Sequence, residues 1–292
     1  MNPGRTSAKS LMVSILAILC SVAITIAAHA ILPASVDGGL LDSALVMLWG
    51  FPIVAVSYFL ILYTQCTVAV RYIGNRTKSS PWQTGIRFGL AFGLIYLLGM
   101  QEIMVDSSPF STYGFEYIKY QFLMGIGDAI PVFMLCVAIA LFTIKQVANQ
   151  PMVSKINMKE RLLAVSVIAV LFLIERTAGY ETGIIQSSCA TYTVPCYIWT
   201  ALLGIVLGYI YTMLYPVLSG EEKWIHVPVR FSLIIGLNWI IFNSFIGLIM
   251  KGAMPDALLR SGLDVAALFI ASCIIGRLII PFKSHTSMMM HA

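Results

Sequence analysis

Five ionisable residues lie deep within apolar stretches of this chain: Glu102, Asp128, Glu175, Arg176 and Asp264. Charges inside a bilayer are costly enough to count as functional-site candidates by default. At 1.5 Å per helical residue, Glu102 lies about 22 Å from Arg87, Glu175 about 24 Å from Lys159, Asp128 about 26 Å from Lys145 and Asp264 about 28 Å from Lys283. The four carboxylates therefore share one layer near the outer surface, together with Gln101, Tyr180, Asn243 and His29. Glu175 and Arg176 are helical neighbours whose side chains point about 100° apart, so Arg176 needs a partner from another helix. Asp128, Glu102 and Asp264 are the candidates. A cation ringed by acids fixes which helices meet, whatever its net contribution to stability. In a functional role the same layer is an outward-facing acidic pocket that attracts cations or protons. Its expected substrate-binding residues are Glu102, Asp128, Glu175, Arg176, Asp264 and Asn243.

Gly125-Ile126-Gly127-Asp128 spells GxGD. The tetrapeptide resembles the motif that carries one catalytic aspartate in the presenilin and prepilin peptidase families of intramembrane proteases. That resemblance covers four residues and implies a second aspartate within reach, because two carboxylates sharing a proton form the acid–base pair that activates water. Asp264, in Ser261-Gly262-Leu263-Asp264, is the one deep candidate. The Tyr-Asp partner helix and the Pro-Ala-Leu segment of the presenilin group have no counterpart, Tyr215-Pro216-Val217-Leu218 being a poor substitute.

The elements that must position these residues follow from composition. Of 292 residues, 59% are hydrophobic and 11% charged, against about a quarter charged in soluble domains. Lipid is therefore the expected solvent. Eight apolar stretches, near 11–32, 44–70, 86–105, 121–144, 162–182, 194–218, 230–250 and 262–281, approach or exceed the roughly 20 residues that cross a bilayer as helix. Unpaired backbone groups have no partner in lipid, so helices and no strands are expected. Lys and Arg near helix ends stay cytoplasmic. With eight crossings, Arg71, Arg76, Lys145, Lys159, Arg230, Arg277 and their neighbours fall on one side, while Lys119, Arg176, Lys251 and Arg260 fall towards the other. The charge of +5 is thus an orientation signal that places both termini in the cytoplasm. Scattered over short loops, these cations form no nucleic-acid patch. The stretch from Arg5 through Ala28-His29-Ala30 resembles a signal peptide, but its length and its Lys-led start, matched by Lys159, favour a retained helix.

The chain also resembles itself. Trp82, Arg87, Phe88, Gly89, Gly93 and Leu94 correspond to Trp224, Arg230, Phe231, Ser232, Gly236 and Leu237. Asp128, Phe133 and Cys136 correspond to Asp264, Phe269 and Cys273. Trp49 with Trp199 and Tyr63 with Tyr215 add weaker matches. The expected fold is therefore an all-α polytopic membrane protein of two parallel four-helix repeats, residues 1–148 and 149–292, joined by the polar link Gln146 to Met158. Gly85, Gly89 and Gly93 form a stripe on the third span that lets another backbone approach closely. Spans three and seven are expected at tight interfaces, facing each other across the pseudo-axis. Pro52, Pro131 and Gly125/Gly127 are expected helix-breaking points. The aromatics between Ser107 and Gln121 (Phe110, Tyr113, Phe115, Tyr117, Tyr120) read as headgroup anchors. Cys189 and Cys196 flank a polar loop assigned to the outside, where they could pair.

GxxxxGK[ST], HExxH, GxSxG and DxxxD motifs are missing, which weighs against nucleotide hydrolysis, zinc or serine hydrolysis and prenyl transfer. No metal ligand set or cofactor is expected. Three functions remain: a transporter of a small cationic or polar solute, an enzyme at the outer leaflet (a GxGD-like protease or a lipid-modifying enzyme), and a non-catalytic subunit or sensor. Membrane lipid and a small molecule or ion are the expected partners, and the plasma membrane is the expected location. The oligomeric state has no sequence signal.

Overall fold

The computed structural model describes residues 3–32, 39, 41–104, 114–145, 156–219 and 224–280. Among them there is helix and no strand: α1 (Pro3–Ile31), α2 (Ala44–Trp49), α3 (Phe51–Gly74), α4 (Pro81–Gly99), α5 (Gly114–Thr143), α6 (Met158–Glu181), α7 (Thr193–Leu218), α8 (His226–Phe231), α9 (Leu237–Ile249) and α10 (Met254–Ile274). A 3₁₀ stretch, Met100–Met104, extends α4, and π-helical turns at Ser232–Gly236 and Ile275–Ile279 link α8 to α9 and extend α10. Eight helical segments are long and apolar enough to cross a bilayer, the make-up of an integral multi-pass membrane protein. Residues 146–155 of the proposed link and the residues beyond 280 lie outside the described residues.

Several helices start earlier than their apolar windows suggest, because capping residues rather than hydropathy decide where a helix begins. Ser80 accepts from the Gln83 amide and Pro81 opens α4. Asn157 and Glu160 form a reciprocal capping box at α6, satisfying two amides that the first turn leaves orphaned. The second apolar stretch is split at Gly50, whose φ of +80° suits a residue without Cβ. Ser43 ties the short α2 to the end of α9, donating from its hydroxyl to Leu248 O and from its amide to Ile249 O.

The expected helix breaks fall elsewhere. Pro131, Gly125 and Gly127 lie inside the unbroken 30-residue α5, and Pro52 sits at the start of α3, where its missing N–H costs nothing. The departures from α-geometry are instead the two π-turns. At the first, Gln65 Nε2 donates to Ile234 O at 3.0 Å, satisfying a carbonyl with a side chain where water is not at hand. The aromatic loop is also corrected. Phe115, Tyr117 and Tyr120 belong to the first turns of α5, and Tyr117 is buried; Phe110 and Tyr113 lie outside the described residues.

The glycine stripe packs against α5, not against span seven. A Cβ on Gly85 would stand 2.9 Å from Val137 Cα, and one on Gly89 3.1 Å from Phe133 Cα, whereas Gly93 leaves 3.4 Å to its nearest neighbour. Gly204 and Gly208 of α7 serve the same purpose against Ala169 and Val165 of α6. Spans three and seven meet through other residues: Tyr96 stacks on Phe242 at 5.0 Å, and Gly99 gives way to Phe242 and Trp239. Trp49 and Trp199 have unlike surroundings, the first exposed and the second buried with its indole N–H on Leu98 O.

The stripe yields a graded expectation. Gly85→Ala forces α4 and α5 apart and costs about 1–3 kcal/mol as overpacking, while Gly93→Ala fits. Thermal unfolding in detergent should show a clear loss of Tm for the first and little change for the second; equal losses would refute close packing as the stripe's purpose.

Candidate functional site

Arg176 is fully buried in α6, and its guanidinium organises the charged layer. Its Nε and Nη2 donate to the two oxygens of Asp264 on α10, each at 2.6 Å, and Nη2 also donates to Glu102 Oε1 at 2.7 Å. Nη1 donates to the Tyr180 hydroxyl at 3.1 Å. A planar fork against a carboxylate is the strongest geometry available to such a pair. Trp239 of α9 closes the set, donating from Nε1 to Asp264 Oδ2 at 2.7 Å. Phe172 and Trp199 lie near the cation, 5.4 and 5.9 Å from its centre, within cation–π range. Spans three, five, seven and eight are thereby joined at one guanidinium.

Two of the three partners expected for Arg176 are therefore present, and Asp128 is not among them. Glu175 lies 4.0 Å from the Arg176 Nε, as expected of a helical neighbour. Glu102 is shared with a second cation: Arg260 Nε lies 3.0 Å from its Oε1, and Arg260 Nη1 lies 3.7 Å from Asp256. Arg260 was placed only towards the outer side by its sequence position. It lies inside α10, 3% exposed, and its spacing of four residues from both Asp256 and Asp264 was the signal that it shares their helix face.

Asp128 faces His29 of α1, with Nε2 and Oδ1 2.9 Å apart. The dyad implied by the GxGD resemblance is not formed, since both oxygens of Asp264 are taken by Arg176 and Trp239. The motif's glycines have packing roles instead. A Cβ on Gly125 would stand 3.0 Å from the Leu97 backbone, and one on Gly127 3.2 Å from the His29 ring, so the missing Cβ is what lets the imidazole reach Asp128.

Beside the hub lies a cavity of about 250 Å³. Its walls are aromatic: Tyr58, Phe59, Phe242 and Phe245. Tyr58 is held by a bond from its hydroxyl to Phe242 O at 3.1 Å and lies 4.5 Å from the Phe245 ring. Asp128 and His29 line it along with Glu102, Arg260, Gln121 and Asn243. Glu102 Oε2 and Gln121 Oε1 are buried acceptors without a hydrogen-bond donor. Asn243 donates to Trp239 O at 3.2 Å. Of the expected site residues, Glu102, Asp128 and Asn243 thus reach the cavity; Arg176 and Asp264 form the hub behind it, with Glu175 at its side. The wall residues Tyr58, Phe59 and Phe245 had no sequence signal, because an aromatic on an apolar helix looks the same whether it faces lipid, core or cavity.

Cys189, in the loop before α7, and Cys196, in the first turn of α7, form a disulfide. Among the described residues no cluster of three or more His, Cys, Asp or Glu side chains is placed to hold a metal ion. Fold and site together define an all-helical multi-pass membrane protein with a charged hub and an aromatic cavity. The chain matches no known protein family, curated protein or solved structure.

Removing Arg176 leaves Asp264 buried without its cation and Glu102 with Arg260 alone, and breaking a buried pair in this way costs about 3–5 kcal/mol. Arg176→Met should therefore lower Tm sharply, and Arg176→Met combined with Asp264→Leu should recover part of the loss. Thermal unfolding of the two single variants and the double one gives the coupling; purely additive losses would show that the fork does not tie α6 to α10.

Proposed function

We propose that the protein is a membrane carrier for a small organic cation of the amine type, bound in the aromatic cavity with its charged nitrogen towards Asp128. The observation that carries this reading is a group of acceptors in the cavity wall, Asp128, Glu102 Oε2 and Gln121 Oε1, the last two without a donor among the described residues, which point to a ligand that brings N–H donors. Buried acceptors without donors cost free energy, and a donor-bearing ligand removes that cost. The walls favour the same class, since a cation over desolvated aromatic faces gains about 2 kcal/mol or more. At about 250 Å³ the space falls just below the roughly 300–1,000 Å³ of ordinary ligand pockets, so the ligand is small.

The repeat reading supports a carrier. Span three packs on span six as span seven packs on span two, and the two central pairs, two with six and three with seven, also touch. In both halves the acid of the last span pairs with a base of the first: Asp128 with His29, and Asp264 with Arg176. Parallel repeats around a mid-bundle site are a transporter arrangement. The halves differ where it matters: the long Arg176 fork fills its side, while the shorter His29 leaves room for a ligand. The bias of Lys and Arg towards the other end of the bundle supports an outward-opening cavity and cytoplasmic termini.

Benzylammonium, benzyl alcohol and benzoate share a ring and differ in charge, so calorimetry with the protein in lipid nanodiscs separates the readings. The ammonium should bind at least tenfold more tightly than the alcohol, and benzoate not at all. Asp128→Asn should remove the tenfold advantage, about 1.4 kcal/mol, and leave alcohol binding unchanged. Equal affinity for ammonium and alcohol, or no effect of Asp128→Asn, would overturn the amine reading; ammonium binding without uptake into proteoliposomes would make the protein a receptor instead of a carrier.

A further inference from the structure

A second concavity, about 870 Å³, runs along the flank of the bundle between α3 and the α8–α9 segment, away from the hub and the aromatic cavity. Its rims include Ile61 and Val68 of α3 and Leu233 and Leu237 of the facing segment, all exposed. On a membrane span, exposure at these positions means contact with lipid chains. From Leu60 to Tyr72 the groove follows α3 for about 18 Å at 1.5 Å per residue, a length suited to an extended acyl chain.

One end differs from the rest. Arg76, just beyond the end of α3, and Arg230, in α8, both line the groove there with His226, and none of the described lining residues is acidic. Arg76 stacks on Tyr72, its guanidinium carbon 3.9 Å from the ring centre, and donates one hydrogen bond, to Tyr72 O. A guanidinium has five donors in a fork that matches phosphate oxygens. Arg230 donates to Leu218 O at 3.0 Å, which fixes its position at the end of α7. Two permanent positive charges thus stand at the mouth of an apolar channel, the arrangement by which basic pockets between spans take anionic headgroups.

The floor of the groove is built. Along it the π-turn Ser232–Gly236 displaces the backbone, Gln65 donates to the Ile234 carbonyl, and Asn238 donates to Gln65 Oε1 at 2.8 Å. π-turns inside α-helices are frequent at functional sites, and this one opens the wall that the chain would follow.

We propose that this groove binds one anionic phospholipid, its phosphate between Arg76 and Arg230 and one acyl chain along Val68 and Leu233. The site shares no lining residue with the amine cavity and stands or falls independently of it. Native mass spectrometry of the detergent-purified protein, with dioleoyl phosphatidylglycerol and dioleoyl phosphatidylcholine as probes, reads it directly. The wild type should retain one phosphatidylglycerol at least fivefold more tightly than phosphatidylcholine. Arg76→Gln, which removes a guanidinium that bonds back to Tyr72 O of the adjoining helix, should erase that preference without a change in Tm. Val68→Trp, which fills the channel and leaves both arginines in place, should lower retention of both lipids. Equal retention of the two lipids by the wild type, or a preference that survives Arg76→Gln, overturns the proposal. A dimer that dissociates in Val68→Trp overturns it as well, by assigning the groove to a second copy of the chain.

Discussion

A guanidinium with no access to solvent has to find its acceptors inside the protein, and in a bundle of apolar helices those acceptors are few. Arg176 finds them on three elements at once: both oxygens of Asp264, one oxygen of Glu102 and the hydroxyl of Tyr180. Each acceptor is held by more than the arginine. Asp264 also receives the Trp239 indole N–H, and Glu102 also faces Arg260. No single helix can shift without unpairing a buried charge, so the layer sets the mutual heights and rotations of the spans it joins. The cavity inherits its wall from this, because Glu102, Arg260 and the Trp239–Asn243 turn belong to both structures.

Elsewhere the bundle is held by close approach. Lipid tails are as apolar as leucine, so helices associate through packing rather than through expulsion of water. Gly85 and Gly89 supply that for α4 against α5, and Gly204 and Gly208 for α6 against α7. The same economy explains the GxGD glycines, where Gly125 lets two backbones meet and Gly127 admits the His29 ring. At the π-turn Ser232–Gly236, Gln65 adds a side-chain donor to Ile234 O beside the Leu237 amide.

The two acid–base pairs differ in how much of the bundle each one fills. Arg176 and His29 stand on the fifth and first spans and address acids on the eighth and fourth. Arginine is long, always charged and forked, and it leaves its side of the bundle full. Histidine is short and offers a single nitrogen to Asp128. The space it does not fill is lined by Tyr58, Phe59 and Gln121, and the difference between a filled side of the bundle and an open one lies in that change of side chain.

The spans themselves were legible in the sequence, because a run of about 20 apolar residues has one stable state in lipid and no tertiary contact is needed to decide it. So was the shared depth of Glu102, Asp128, Glu175, Arg176 and Asp264, which follows from a helical rise of 1.5 Å per residue. Helix starts were less so, since Ser80 and Asn157 extend helices beyond the apolar windows through capping. Which acid meets which base depends on the rotation of each helix about its axis. Periodicity in a chain that is apolar all round carries little information on that rotation. Only the packed bundle could assign Asp128 to His29 rather than to Arg176 or Asp264, turn the glycine stripe towards α5, and draw Arg260 into the interior. The cavity is of the same kind: it is the volume left when helices of fixed shape are brought together by a few buried charges and a few missing Cβ atoms, and no single stretch of residues encodes it.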